Sequence, residues 1–304
     1  MNVACPICAS SESTLYYTIN NGGKTFTVEK CRQCSHYHTR FAFAVDSEKL
    51  YNDEVYQIVD NRESLYSQIM DHEYSMVLKY IGRSFPKGSR LLDFGSGKGV
   101  FLNLARKAGY ESLGVETAGA RADFAEQKYG LQIIRDMYES GPVSNQPFDV
   151  ITLFHVLEHL PQPKQLIRNL IRDNLKAGGM LIMEVPNLSS VQSRIAGNKW
   201  MHLDIPRHLS HFSKVRMEEF CAELGLQIVR TEYFSWHLGV LGMCHSILSD
   251  FGYKGNIIRD LKHYNKKLLF GLLPVLPLAI VAEAVASFFK RGGVIRVYCR
   301  RLQA

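Results

Sequence analysis

The fold of this chain is decided by the stretch Leu91-Leu92-Asp93-Phe94-Gly95-Ser96-Gly97-Lys98-Gly99. A short apolar run ends in an acid, a glycine-rich turn follows, and residues 100–108 have helical periodicity. A strand, a glycine turn and a helix in this order place backbone N–H groups and a helix N-terminus against a bound cofactor. The turn reads G-x-G-x-G. A carboxylate two residues before its first glycine would repel a pyrophosphate but suits a cofactor with an ammonium group and a cationic sulfur.

Acids also end the next two predicted strands. Glu116 follows the apolar run 113–115, and Asp136 closes the predicted strand 131–137, with Met137 after it. An acid at the end of the second strand can accept hydrogen bonds from both ribose hydroxyls. Three acids at successive strand ends, in this order, favour one bound nucleoside over three independent solvated side chains.

The rest of the chain alternates strands with helices. Strands are predicted at 148–154 and 178–185 with a helix at 163–175 between them, and the last two strands at 226–230 and 294–298. This alternation predicts an α/β fold with a Rossmann-like, doubly wound, seven-stranded and mostly parallel sheet that is covered on both faces.

These features resemble the class I S-adenosylmethionine (SAM)-dependent methyltransferases, and the resemblance runs from about Ser89 to Leu302. It implies that the second strand's acid holds the ribose, and that the third strand's acid and apolar residue read the adenine. The predicted cofactor-binding residues are Asp93, Gly95, Ser96, Gly97, Glu116, Asp136, Met137 and Phe154.

Cysteine spacing gives a second signal. Four of the seven cysteines form two C-x-x-C pairs on either side of a β-rich segment, residues 14–28: Cys5, Cys8, Cys31 and Cys34. Such a pair of knuckles matches a structural zinc site, and a segment this short needs a metal to fold. Two disulfides would require an oxidising compartment, for which nothing in the sequence argues. His36 and His38 could each replace a cysteine ligand but are expected at the surface.

These signals predict a zinc-ribbon module over 1–45, a helical linker or lid over 46–88, and a methyltransferase domain over 89–304. The last contains a hydrophobic helical insert at about 240–290. A zinc module in front of a SAM domain is similar to the bacterial sugar-nucleotide C-methyltransferases. That resemblance implies a sugar-like acceptor.

The chemistry is expected just beyond the fourth strand. His155, Glu158 and His159 have helical i, i+3, i+4 spacing there, where open α/β sheets bind ligands. Methyl transfer to a hydroxyl needs a base, and the ordinary histidine pKa of about 6.5 suits that role. With His208, they are the predicted catalytic residues. Two alternatives remain: they position SAM, or they join His208 or His211 in a divalent-metal site, as in some quinone and small-RNA methyltransferases.

The segment 186–212 follows the fifth strand and is too long for a simple connection. As a lid over the acceptor, it would use Trp200 as an apolar wall and Arg207 to pair an anionic group. The alternative is a packed loop whose histidines are hydrogen-bonded. Ser213 is the predicted N-cap of the next helix.

One segment could be mistaken for a membrane span. Residues 268–289 contain a single charge, Glu283, and have Lys266-Lys267 before them and Lys290-Arg291 after them. A span here would separate the last two strands, which should pair. We therefore expect a buried or dimer-forming helical pair, or a patch that dips into a membrane surface.

Composition is that of an ordinary globular protein, with a net charge of +7 and a sequence pI near 9.0. The N-terminus lacks the layout of a signal peptide, which favours the cytoplasm, with membrane association if the patch dips into a bilayer. The predicted function is SAM-dependent methyl transfer to a small polar acceptor: a sugar, a sugar nucleotide or a lipid-linked saccharide. The alternatives are an RNA methyltransferase, disfavoured by the lack of a basic and aromatic strip, and a non-catalytic SAM-binding or zinc interaction protein.

Overall fold

A computed structural model describes residues 4–41, 65–263 and 265–301. In chain order its strands are β1 (Ser13–Asn21), β2 (Lys24–Cys31), β3 (Tyr37–Arg40), β4 (Arg90–Phe94), β5 (Glu111–Val115), β6 (Ile133–Ile134), β7 (Phe148–Phe154), β8 (Leu175–Pro186), β9 (Ser210–His211), β10 (Leu226–Glu232) and β11 (Val294–Arg301). Its helices are α1 (Leu65–Ile81), α2 (Val100–Lys107), α3 (Gly119–Tyr129), α4 (Pro163–Asn174), α5 (Val191–Ala196), α6 (Lys214–Glu223), α7 (Gly239–Asp250), α8 (Ile257–Lys262) and α9 (Lys266–Phe288).

The larger sheet has seven strands in the order β10-β11-β8-β7-β4-β5-β6. All neighbouring pairs are parallel except those of β11, which is antiparallel to both β10 and β8. The predicted doubly wound, mostly parallel sheet is therefore confirmed. The third predicted strand is shorter than expected: only Ile133–Ile134 pair with β5, so Asp136 and Met137 lie in the loop beyond it.

The helices pack on the sheet through their buried faces. Phe101, Leu102 and Ala105 on α2 are buried. α1 packs beside α2, and the ring of Tyr74 on α1 contacts the rings of Phe101 and Phe154. Residues 46–64 of the predicted helical linker lie outside the described residues. The side chain of Ser213 accepts a hydrogen bond from Arg216 N, so the predicted N-cap of α6 is confirmed.

The smaller sheet is antiparallel, in the order β1-β2-β3-β9. Its fourth strand, β9, comes from the segment 186–212, so this segment joins the N-terminal module directly to the larger domain. The contact buries His36 and His38, and the expectation that they lie at the surface is wrong. The ring of His36 packs edge-on against that of Phe212, 5.0 Å away.

The hydrophobic insert α7–α9 lies between β10 and β11, which pair as expected. Among the described residues, Leu268–Phe288 is long and apolar enough to cross a membrane by length and composition, with a mean hydropathy of 2.3. A buried helical pair is the wrong description of this segment. It forms one continuous helix with Pro274 and Pro277 inside it, and only 17% of its most apolar stretch is buried.

Candidate active site

The glycine turn after β4 is built from backbone that favours glycine. Gly95, Gly97 and Gly99 have φ of 74°, 55° and 72°, all in the left-handed region. A Cβ at Gly95 would lie 2.3 Å from Cγ2 of Val156, which follows β7. Gly95 N and Ser96 N both donate to the carbonyl of Val115, at 2.8 and 3.0 Å. The turn is therefore held against the ends of β5 and β7, which border the predicted SAM site.

Glu116 is fixed to the same turn. Its Oε2 accepts a hydrogen bond from Gly97 N, and its Oε1 accepts one from Ala118 N, both at 2.8 Å. Each carboxylate oxygen has a second lone pair, so these contacts orient the carboxylate without exhausting its capacity to accept ribose hydroxyls.

Asp93 is buried at the end of β4, where its Oδ1 accepts a hydrogen bond of 2.7 Å from Thr152 Oγ1. Burial raises the pKa of Asp93 to about 7, and nearby Glu116 adds to this shift while the Thr152 hydroxyl opposes it. A carboxyl group in this environment is stabilised as an anion by a cationic ligand.

The predicted adenine-reading residues border a cavity. Asp136 and Met137 are exposed beyond β6, and Met137 is 74% exposed. A cavity of about 400 Å³ opens beside them; its lining residues are Val115, Ile134, Asp136, Met137, Tyr138, Glu139, Ser140, Pro142 and Val143. The cavity lies beyond the carboxyl ends of β5 and β6, where ligands bind in open parallel sheets.

His155 stands between two buried carboxylates at the end of β7. Its Nδ1 lies 3.2 Å from Glu158 Oε1, and its Nε2 lies 2.9 Å from Glu184 Oε1. Burial alone would lower the pKa of His155, but the two carboxylates raise it to about 10. Its φ of 55° is a strained value for a residue with a Cβ, as is often found at functional sites.

His159 and His208 are each held by a backbone carbonyl at Nδ1. Nδ1 of His159 lies 3.1 Å from the carbonyl of Arg207, and Nδ1 of His208 lies 2.8 Å from the carbonyl of His202. Because a carbonyl can only accept, each Nδ1 carries a hydrogen, and the neutral form of each ring therefore has its lone pair on Nε2. Burial lowers the pKa of His159 to about 4, helped by the adjacent His208.

Glu158 completes this cluster. Donor atoms of Glu158, His159 and His208 all lie within 4.8 Å of one another, and His208 Nε2 is 4.0 Å from Glu158 Oε1. Burial by itself raises the pKa of Glu158, but the hydrogen bond from His155 holds it at about 2. Its Oε2 is buried and finds no hydrogen-bond partner within the described part of the chain. The structure thus joins all four predicted catalytic residues.

The segment 186–212 differs from the predicted lid in two places. Trp200 is 2% exposed and packs with Phe26 and Val28 of the N-terminal sheet, so it does not form an open apolar wall. Arg207 forms an ion pair with Asp204, its Nε lying 2.9 Å from Oδ2, and this pairing occupies the group expected to meet an anion. The packed-loop alternative describes these two residues better.

The four cysteines of the N-terminal module come together. Their sulfur atoms all lie within 4.8 Å of one another, with Cys5 Sγ 3.5 Å from Cys34 Sγ and Cys8 Sγ 3.6 Å from Cys31 Sγ. The two turns also share one backbone pattern. Ala9 N donates to the carbonyl of Cys5, and Ser35 N donates to that of Cys31, at 2.9 and 3.0 Å.

Three residues of the site escape the sequence analysis: Thr152, Glu184 and Arg296. Glu184 and Arg296 are cross-strand partners on β8 and β11, with Arg296 Nη2 2.5 Å from Glu184 Oε2. The available signal was a single charge in each of the predicted strands 178–185 and 294–298, negative in the first and positive in the second.

Comparison with known proteins agrees with this fold. A family model described as a methyltransferase domain matches residues 66–231, more than half of the chain. The chain therefore belongs to this methyltransferase family, and the predicted class of SAM-dependent methyltransferase is confirmed.

Relatives named ubiquinone biosynthesis O-methyltransferase are similar to parts of the chain. The Coxiella burnetii (strain RSA 493 / Nine Mile phase I) protein is 31% identical over 116 residues, covering 36% of this chain and 49% of that protein. The matched region thus spans about half the length of that relative. The Neisseria meningitidis serogroup C (strain 053442) protein is 24% identical over 221 residues, covering 62% of this chain and 90% of that protein.

Solved structures share the fold at low identity. The [4+2]-cyclase SpnF has a TM-score of 0.52 at 18% identity, covering 81% of this chain and 85% of its own. A Galdieria sulphuraria protein, provisionally described as a sarcosine dimethylglycine methyltransferase, has the same TM-score and identity and covers 83% of this chain and 91% of its own. Since one of these is named as a cyclase, the fold alone does not identify the reaction.

Proposed function

We propose that this protein transfers the methyl group of SAM to a hydroxyl oxygen of a small-molecule acceptor, with His159 or His208 as the proton acceptor. The observation that carries the proposal is the pair of imidazoles beside Glu158, each of which donates through Nδ1 to a backbone carbonyl, so that the neutral form of each has its lone pair on Nε2. His159 follows β7, the strand whose end also borders the glycine turn, and His208 comes from the segment between β8 and β9.

The residues present fit the cofactor. Asp93 offers a buried carboxylate to a cationic ligand, Glu116 is already oriented on the glycine turn, and Asp136 borders the cavity in which an adenine would lie. Bound SAM supplies an electrophilic methyl carbon on a sulfonium and leaves as S-adenosylhomocysteine. The histidine pair contributes by accepting the hydroxyl proton at Nε2 while the acceptor oxygen gains the methyl group and the C–S bonding electrons remain on sulfur.

His155 has a different role in this proposal. With a pKa raised to about 10 by Glu158 and Glu184, against the opposing effect of burial, it stays an imidazolium near neutral pH. An imidazolium has no lone pair with which to accept a proton. His155 instead orients Glu158 and compensates its charge, which makes it a positioning residue.

The acceptor in this proposal is a small molecule with a hydroxyl group. The relatives named ubiquinone biosynthesis O-methyltransferase support an oxygen acceptor, and they give no support to the sugar, sugar nucleotide or lipid-linked saccharide expected from the sequence. A sugar hydroxyl and a phenolic hydroxyl make the same demand on the base, so the chemistry at His159 and His208 is common to both.

A second role for the same cluster rests on one observation. Glu158 Oε2 is buried without a hydrogen-bond partner in the described ranges, near one imidazole nitrogen of His159 and one of His208. A carboxylate with two neutral histidines can hold a divalent cation, which would supply Lewis-acid polarisation of the acceptor oxygen. In that case Glu158, His159 and His208 would be the protein ligands.

We also propose that the four cysteines hold one structural zinc ion. Four sulfur atoms within 4.8 Å of one another, on two turns with the same backbone pattern, fit a closed tetrahedral site. A closed site leaves no open position for substrate, so the role is in folding.

The test is methyl transfer from SAM with an isotopically labelled methyl group to phenols, sugars, sugar nucleotides and RNA. His159→Ala and His208→Ala should each lower kcat by about 10²–10⁴-fold while SAM affinity is retained. His72→Ala changes an exposed histidine on α1 and should leave the rate unchanged. Unaltered turnover in the double variant would exclude the base role, and SAM binding without turnover on any acceptor would favour a non-catalytic protein.

A further inference from the structure

The longest helix among the described residues, α9, exposes a continuous apolar surface. On α9, six residues spaced by three or four positions are exposed, which places them on one face: Phe270, Leu273, Pro277, Val281, Ala284 and Phe288. The side chains of Phe270 and Phe288 are 77% and 82% exposed. With 23 residues, the helix is about 34 Å long at 1.5 Å per residue. A monomeric soluble protein rarely leaves such a surface uncovered.

The opposite face of α9 packs against the rest of the protein. Leu268, Ala279 and Ala286 are buried, and the helix packs on α7 and α8. Glu283, the one acid of α9, is also buried: Oε2 accepts from Gln192 Nε2 at 3.0 Å, and Oε1 accepts from Gly293 N at 2.6 Å. A helix held along one whole side cannot cross a bilayer, but its free side can lie in the surface of one.

The charges around the exposed face are positive. Lys266 begins the helix, and the exposed Lys290 and Arg291 follow its end, while the exposed face carries no acid. Cations at both ends of an apolar helix complement anionic lipid headgroups and also place their own charges at the water boundary. The whole chain has the same bias, with a net charge of +7.

A second copy of the chain fits this face less well. A two-fold symmetric contact between α9 helices places the lysines and arginine at the ends of one helix beside those of the other, whether the helices run parallel or antiparallel. No exposed acid on either helix would compensate this repulsion.

We propose that α9 is an in-plane membrane helix whose exposed face, from Phe270 to Phe288, docks on a bilayer that contains anionic lipids. The docked helix also contacts the segment 186–212, because Gln192 of this segment donates to Glu283 and accepts a hydrogen bond from Trp200 Nε1 at 3.0 Å. Docking therefore holds the segment that contains His208 at the membrane surface.

The experiment is co-sedimentation of the full chain with vesicles of phosphatidylcholine, with and without phosphatidylglycerol. The triple variant Phe270→Ser, Leu273→Ser, Phe288→Ser should lose about ten-fold or more in vesicle affinity. Lys290→Glu with Arg291→Glu should remove the preference for phosphatidylglycerol. The matched control is Leu15→Ser with Val215→Ser, which changes apolar residues that are 64% and 59% exposed elsewhere.

All substituted side chains are exposed, so the variants should keep the circular dichroism of the parent protein, which is checked first. Failure of the parent protein to bind either vesicle, or equal binding by the triple variant, overturns the proposal. The proposal is also overturned if the parent protein is a dimer in light scattering that does not bind vesicles and the triple variant is a monomer. That result would show that a second copy of the chain covers the exposed face of α9. Vesicle binding is measured without SAM or acceptor, so its outcome is independent of methyl transfer.

Discussion

Nε2 of His155 lies 2.9 Å from Oε1 of Glu184, and this contact joins the carboxyl ends of β7 and β8. Glu184 is in turn paired with Arg296 on β11, and His155 with Glu158. The result is a chain of alternating buried charges across three strands at the edge of the sheet where the site lies. Each charge in it is compensated only while its neighbours are present.

His155→Ala should therefore lower the free energy of unfolding by about 3–5 kcal/mol, because it leaves Glu158 and Glu184 buried with one partner fewer. Urea unfolding followed by circular dichroism measures the change. His72→Ala, which alters an exposed histidine, should stay within about 0.5 kcal/mol of the parent protein. If His155→Ala lowers the free energy of unfolding no more than His72→Ala does, the carboxylates of Glu158 and Glu184 must find other partners.

The same ion pairs predict a pH dependence with a definite sign. The pKa of His155 is raised from 6.5 to about 10 in the folded protein, so its contribution is complete below about pH 6.5 and lost as pH rises towards 10. The free energy of unfolding should fall over that window in the parent protein and fall less in His155→Gln. Parallel curves for the two proteins would contradict the raised pKa.

Binding of SAM should strengthen with pH around the pKa of Asp93, which burial raises to about 7. A cation binds the carboxylate better than the neutral acid, so the Kd should fall about ten-fold from one unit below that pKa to one unit above it. Calorimetric titration across this range measures the effect. In Asp93→Asn the ligand still titrates, but the part of the pH dependence of Kd that comes from Asp93 should be lost. An equal pH dependence of Kd in both proteins would exclude Asp93 as the source of the effect.

Freshly purified, reduced protein should contain one zinc ion per chain by elemental analysis, and Cys8→Ser or Cys34→Ser should lose it. Zinc removal should also lower the melting temperature of the whole protein. The reason is that the N-terminal module is joined to the segment 186–212 by Thr39, whose Oγ1 donates to the His208 carbonyl at 2.7 Å. Cys244→Ala, outside the cluster, should keep its zinc. Zinc-free folded protein, or disulfides between the four cysteines, would refute the site.

The sequence predicts strand bounds well where they depend on neighbouring residues, and poorly where they depend on distant contacts. The strand Phe148–Phe154 has the bounds that its apolar run indicates. The third strand is shorter than its pattern because β5 offers it only Gly114 and Val115 as partners, which its own residues cannot reveal. The placement of Trp200 depends on a module more than 150 residues earlier in the chain, and a local pattern contains no trace of that contact.

In the candidate site, too, the sequence predicts what depends on local spacing and misses what depends on distant contacts. The spacing of His155, Glu158 and His159 indicates that they lie together, but it cannot say which histidine keeps its proton. That difference comes from Glu184 on another strand, which raises the pKa of His155, and from burial beside His208, which lowers the pKa of His159. Distant contacts thus separate a charged positioning residue from a neutral base.

Treatment with a chelator distinguishes the two roles proposed for the cluster of Glu158, His159 and His208: a histidine base or a divalent-cation site. If His159 or His208 acts as a base, methyl transfer should continue at the parent rate after a chelator removes loosely held divalent ions, and added Mg²⁺ or Mn²⁺ should not change it. Zinc content is measured in the same sample to show that the cysteine site is intact. A rate that collapses and is restored by Mg²⁺ or Mn²⁺ would assign the cluster to the cation instead.

Glu158→Gln gives the complementary measurement. Its Oε1 lies 4.0 Å from His208 Nε2, where a negative charge stabilises the imidazolium that forms when the base takes the acceptor proton. The variant should therefore lower kcat by about ten-fold, a change of about 1.4 kcal/mol, while SAM affinity is unchanged. Glu111→Gln, which alters a carboxylate that is 69% exposed, is the control and should keep the parent kcat. An equal kcat in Glu158→Gln and Glu111→Gln would show that this carboxylate does not assist the transfer.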